Sequence, residues 1–194
     1  MKQKTREELS IFRHIPNLLT ISRLILTFVV IYFILKETHI VATIVIFSIA
    51  ALTDFIDGQL ARRFKWTSEF GRKSDMIADR FLWVGTAIAF FVSFGLSGKL
   101  DWQHGVQLLM IMSRELITAP FALIAFFGGK DIPHARYIAK VNTLLQGFAL
   151  PALILSVYYP FWAYLSWPLS IVLVVTGFIS AMHYLNDIKA PKKK

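Results

Sequence analysis

The sequence predicts an all-α, polytopic membrane protein of six transmembrane helices with an amphipathic interfacial helix at its N-terminus. Three observations carry that expectation. Of 194 residues, 56% are hydrophobic, and they fall into six blocks. Each block runs close to the length of about 20 residues that spans hydrocarbon. Of the 21 Lys and Arg residues, sixteen are gathered into four short stretches at the ends of the blocks or between them.

Segment 1–15 alternates charged residues with Leu9, Ile11, Phe12 and Ile15, a spacing suited to a short helix lying in the interface. Its basic start followed by an apolar run resembles a signal peptide, but the run is long and no small-residue cleavage pattern follows, so a retained helix is expected. Residues 16–190 then form one six-helix domain. Its spans are Asn17–Leu35, Ile40–Arg62, Ser74–Leu96, Gly105–Phe127, Tyr137–Tyr159 and Trp162–Asp187, and 191–194 is a basic tail. Pro120 and Pro151 fall inside spans, where neighbouring helices can satisfy the freed backbone groups. Tyr158, Tyr159, Trp162, Tyr164 and Trp167 form an aromatic belt. The chain has no cysteine, which excludes disulfides and thiolate metal sites.

Cations fix the expected orientation. Sixteen lie in 1–15, 62–73, 128–140 and the C-terminal tail, against Lys36 and Lys99 in the opposite connections. By the positive-inside rule both termini lie in the cytoplasm. The net charge of +9 thus faces anionic headgroups, and nucleic-acid binding is not expected.

Four aspartates interrupt the apolar blocks, in the pattern Asp54-x2-Asp57-Gly58-x2-Ala61-Arg62-x8-Gly71-x3-Asp75-x3-Asp79. A carboxylate at the centre of a membrane helix costs about 2.5–3.5 kcal/mol on insertion scales and usually marks function. The i,i+3 pair on one helix and the i,i+4 pair on the next each share a face. A short antiparallel connection returns them to one depth. Two such faces make a cage of hard oxygen ligands suited to Mg2+, Mn2+ or Ca2+. A pair of ions about 4 Å apart can polarise a diphosphate while a further carboxylate takes a proton from an attacking hydroxyl. Gly58 and Ala61 are small where close approach is needed.

Several cations are candidate anion ligands. Arg23, in Pro16-Asn17-x2-Thr20-x2-Arg23, either snorkels to headgroups or meets a phosphate. Arg114 either pairs with Glu115 in Ser113-Arg114-Glu115 or faces a polar cavity. Arg136 and Lys140 share a face, and Arg72 precedes Asp75. The five histidines never pair at metal-ligand spacing, and no nucleophile stands beside a base.

The run from Asp54 to Asp79 resembles the complete signature of the CDP-alcohol phosphatidyltransferase family, with all eight fixed positions in register. The six-span layout and the Pro16–Arg23 opening agree. The resemblance implies an intramembrane, usually dimeric enzyme that moves a phosphatidyl group from CDP-diacylglycerol to an alcohol and releases CMP. It implies two Mg2+ or Mn2+ ions on Asp54, Asp57, Asp75 and Asp79, with Asp79 also the general base. Asp57, Gly58, Ala61, Arg62, Gly71 and Asp75, with Thr20 and Arg23, would bind the CDP-lipid. Arg72, Arg114, Arg136 and Lys140 would bind the phosphate of a small phosphorylated alcohol. Size, the opening and Ser113-Arg114-Glu115 look most like the bacterial phosphatidylglycerophosphate synthases, whose acceptor is glycerol 3-phosphate. Those commonly show Leu-Asp-Pro-x-Ala-Asp-Lys where this chain has Ser74-Asp75-Met76-Ile77-Ala78-Asp79-Arg80. Inositol phosphate and phosphatidylglycerol are alternative acceptors. A cation transporter and a non-catalytic lipid-binding scaffold are alternatives of other classes: ion flux in liposomes without CMP release would mark the first, and tolerance of alanine at Asp54 and Asp57 the second.

Overall fold

The computed structural model describes the backbone of residues 15–64, 69–127 and 137–189, and side chains over 20–53, 77–121, 124 and 137–186. Every regular element among them is helical. We number the α-helices α1 (Ile15–Lys36), α2 (Ile40–Phe64), α3 (Glu69–Leu96), α4 (Trp102–Ile111), α5 (Ser113–Phe127), α6 (Tyr137–Tyr158) and α7 (Ala163–Lys189), with a 3-10 turn at Pro160–Trp162 before α7. The expected interfacial helix and the basic tail lie outside the described residues.

Most expected spans match a helix to within a few residues. The fourth does not. Gly105–Phe127 was expected as one helix, but it is interrupted at Met112, whose φ of −90° and ψ of 7° leave the helical well. α3 also begins earlier than Ser74, at Glu69.

The chain divides into two compact units, residues 1–93 and 94–194. In the first, α1 packs on α2, and α3 touches α1 through Phe28–Phe81 and α2 through Phe47–Trp83. The buried face of α1 is Thr20, Arg23, Thr27, Val30 and Ile34, a 3,4,3,4 spacing. Its exposed face is Ile21, Ile25, Phe28, Tyr32 and Leu35. In α2 the buried positions are Thr43, Phe47 and Ala50. In α3 they include Ala78, Leu82, Trp83, Thr86, Phe90 and Ser93. The Ser93 hydroxyl donates to Ile34 O at 2.9 Å, tying the ends of α1 and α3.

Two helices end on the same turn with different residues. At α3, Lys99 N bonds to Phe94 O at 3.0 Å around Gly98, whose φ is 69°. At α1, Thr38 N bonds to Phe33 O at 3.2 Å and Glu37 N to Ile34 O at 3.0 Å, around Glu37 with φ 51°. That left-handed position favours glycine.

In the second unit α7 packs along α6 and also meets α4 and α5. Its buried positions are Leu173 and five small residues, Ser166, Ser170, Gly177, Ser180 and Ala181. Exposed on α7 are Ile171, Val172, Val175, Phe178, Ile179 and Met182. Polar inside and apolar outside is the reverse of a water-soluble bundle. With no hydrophobic gain from helix association in lipid, small residues and interhelical hydrogen bonds hold such helices together. Among the described residues, Ile77–Leu96, Tyr137–Tyr158 and Pro160–Asn186 are long and apolar enough to cross a membrane, and Ile40–Thr53 is a shorter apolar stretch. The protein is an all-helical membrane protein.

Candidate active site

The four aspartates lie on two packed helices of the first unit: positions 54 and 57 on α2, and 75 and 79 on α3. Positions 54 and 57 continue the 4,3 register of Thr43, Phe47 and Ala50, the face that α2 turns inward. Their depth follows from one contact. Phe47 and Trp83 meet edge to face, with ring centroids 5.4 Å apart and planes at 83°. From that level the backbone of α2 rises by about 1.5 Å per residue, reaching position 54 after about 10 Å and 57 after about 15 Å. Running back along the antiparallel α3, position 79 lies about 6 Å and position 75 about 12 Å in the same direction. The two pairs therefore overlap in depth.

Arg23 belongs to that level. Phe28 on α1 stacks against Phe81 on α3 at 5.3 Å. Five residues towards the N-terminus, about 7.5 Å, puts Arg23 between the levels of positions 75 and 79. Its side chain is wholly buried and engaged by neighbours, and Thr20 is largely buried and engaged as well. Snorkelling to headgroups is thus not its role. A guanidinium taken from water must find anionic or hydrogen-bonding partners, and its depth matches the carboxylates.

Asp79 is the one aspartate of the four whose side chain is described. Its Oδ1 accepts the indole N–H of Trp83 at 2.8 Å, one turn along α3. Trp83 is 3% exposed. Sequence reasoning passed over this tryptophan, which reads as one more apolar residue in a span; its place four residues after an aspartate was the available signal. The side chains of Asp54, Asp57, Gly58, Ala61, Arg62, Gly71, Arg72 and Asp75 lie outside the described residues, as does Arg136. Among the described side chains no three His, Asp or Glu group together. The residue types at positions 54, 57, 75 and 79 suit a divalent cation by their chemistry, since all four are carboxylates and their backbone positions overlap in depth.

The second unit carries a different polar cluster. Arg114 Nη1 donates to Thr143 Oγ1 at 3.0 Å and more weakly to Glu115 Oε1 at 3.4 Å. The stronger bond to Glu115 comes from α6: Gln146 Nε2 donates to Glu115 Oε2 at 2.9 Å and to Ile111 O at 3.2 Å. The amide thus serves the carbonyl end of α4, where the helix stops. Nearby, Thr176 on α7 donates to Asn142 Oδ1 at 2.9 Å. Gly177 is held close: a Cβ there would meet Ser113 Oγ at 2.6 Å and Arg114 N at 3.3 Å. Asn142 and Gln146 are fully buried, and Glu115 is nearly so. Lys140, on the same helix, is exposed.

Four aspartate positions of overlapping depth on adjacent helices of a membrane protein are the kind of residue that usually marks function there. Comparison with known proteins gives the class. The sequence profile of the CDP-alcohol phosphatidyltransferase family matches residues 13–179, and the chain belongs to that family. It is therefore a membrane transferase of phospholipid biosynthesis. The chain is 31% identical to the CDP-diacylglycerol–glycerol-3-phosphate 3-phosphatidyltransferase of Rickettsia felis, covering 93% of this chain and 97% of that one. It is 28% identical to the protein of that name from Wigglesworthia glossinidia brevipalpis, over 91% and 88% of the two chains. With its namesake from Salmonella typhimurium it shares 32% identity over 71% and 74%.

Proposed function

We propose that the chain transfers the phosphatidyl group of CDP-diacylglycerol to glycerol 3-phosphate and releases CMP. The overlapping depth of the aspartate pairs, set by the Phe47–Trp83 contact, carries the reading. The names of its relatives point to the acceptor.

Asp54, Asp57, Asp75 and Asp79 would hold two divalent cations, Mg2+ or Mn2+, which when bound neutralise charge on the diphosphate and the departing phosphate. Thr20, Arg23, Asp57, Gly58, Ala61, Arg62, Gly71 and Asp75 bind the CDP-lipid, with the small residues admitting the diphosphate close to the backbone. Arg72, Arg114, Arg136 and Lys140 bind the phosphate of the acceptor. Asp79 takes the proton of the acceptor's hydroxyl as its oxygen bonds to the lipid-side phosphorus. The bond from that phosphorus to the bridging oxygen breaks, and its electron pair leaves with CMP. Positioning and charge stabilisation do most of the work in such transfers. Six membrane crossings, termini and aspartates on the cytoplasmic side of the inner membrane, and a homodimer complete the proposal.

The test supplies radiolabelled CDP-diacylglycerol and Mg2+ or Mn2+ to the purified protein with a panel of acceptors. Glycerol 3-phosphate is expected to release CMP fastest. Faster release with inositol phosphate or phosphatidylglycerol would reassign the acceptor. Asp79→Asn is expected to abolish turnover while CDP-lipid still binds; normal activity in that variant would remove the role given to Asp79.

A further inference from the structure

The face of α3 that leads away from the aspartates is Asp79, Trp83, Thr86 and Phe90, at spacings of 4, 3 and 4, with the last three buried. Trp83 is the only one of these whose polar atom reaches back to Asp79, at 2.8 Å. The terminal torsion of an aspartate is soft and broad, so a carboxylate keeps one orientation only when a fixed partner holds it. Trp83 is such a partner. It is buried at 3% exposure, and its ring is lodged edge-on against Phe47 at 5.4 Å. Phe47 in turn sits on α2, on the face whose register leads to positions 54 and 57. One side chain therefore touches both aspartate-bearing helices. It also stands outside the eight-position signature, which ends at Asp79.

We propose that Trp83 is a positioning residue: its indole N–H pins Oδ1 of Asp79, and its contact with Phe47 locks the register of α2 against α3. An indole N–H only donates, so it fixes one oxygen as an acceptor without competing for the proton that Asp79 is to receive. The inference rests on the proposed role of Asp79 and deepens it.

Trp83→Phe keeps an aromatic ring against Phe47 and removes the N–H. Loss of one hydrogen bond to a charged group is expected to lower kcat about tenfold or more, with KM for CDP-diacylglycerol and for the acceptor within about twofold of wild type, since a positioning loss in the reacting step leaves ground-state binding alone. A second readout needs no turnover. Mn2+ added to the wild-type protein is expected to quench the emission of the indole that touches Asp79, and Trp83→Phe is expected to remove that quenched component. Unchanged kcat in Trp83→Phe overturns the proposal, and so does quenching that persists in full. If Trp83→Phe fails to fold, 3-benzothienylalanine at position 83 replaces the N–H by sulfur at constant ring shape. The same loss of kcat then supports the proposal, and wild-type kcat overturns it. Full activity in Asp79→Asn would instead sink the underlying assignment of the base. Inactive Asp79→Asn alongside fully active Trp83→Phe removes the positioning role alone.

Discussion

The two units of this chain bury polar groups for different ends. The first buries charge: Arg23 is wholly enclosed, and four aspartates lie on the helices beside it. The second buries mostly neutral donors and acceptors, Gln107, Asn142, Gln146 and Ser166 among them, and knits these into bonds between helices. Charge in a low-dielectric interior is costly unless something specific uses it, whereas neutral hydrogen bonds between membrane helices are ordinary cement worth about 0.6 kcal/mol each on average. The first unit is accordingly expected to lose function when altered, and the second to lose stability.

The largest effect tests the first half of that contrast. Asp54→Ala or Asp57→Ala, like removal of divalent cations by EDTA, is expected to lower CMP release by about a thousandfold or more, on the scale of lost transition-state charge stabilisation. The circular dichroism of the alanine variants should stay that of wild type. Substantial residual turnover in either would mean that the carboxylates are structural.

Gln146→Leu probes the other half. It strips Glu115 Oε2 and Ile111 O of their shared donor, and a buried group left unsatisfied costs about 1–3 kcal/mol. A lowered melting temperature in detergent, with kcat reduced less than in the aspartate variants, is the expected result. Arg114→Leu sharpens the comparison from a third side. Should the second unit contribute to acceptor binding, KM for glycerol 3-phosphate rises about tenfold or more while that for the CDP-lipid holds. If only Tm moves, Arg114 serves Thr143 and Glu115 alone. The smallest effect is a gain: Glu37→Gly relieves a left-handed position, where glycine is favoured by about 1 kcal/mol, partly offset by loss of the Glu37 contact with Ser93. A small upward shift in Tm is expected.

Much of this was legible in the residues themselves. The aspartates announced themselves because hydrocarbon tolerates few carboxylates, and block length located the helices. What could not be read was direction. Arg23 is compatible with snorkelling until a neighbour fixes its depth, and the Phe28–Phe81 contact does that. Glu115 follows Arg114 in sequence and invites a pairing between them. Its shorter bond instead goes to Gln146, 31 residues away, and no local pattern specifies that partner. The interruption at Met112 was hidden for a similar reason. Nothing in Leu108–Glu115 is a helix breaker, and the groups found beside the break come from elsewhere in the chain: Gln146 of α6 bonds to Ile111 O, and Gly177 of α7 passes close to Ser113 and Arg114. Trp83 was missed because a period-based reading counts tryptophan as apolar and overlooks its one donor.

The narrow seam of α7 has a practical corollary for anyone mapping this protein by mutagenesis. Ser180 and Ala181 offer almost nothing to trim, and at Gly177 an alanine scan adds bulk where elsewhere it removes it, setting a Cβ 2.6 Å from Ser113 Oγ. A survey that adds bulk, with Gly177→Val as its most telling member, would find the seam at once by forcing α7 off Ser113 and Arg114.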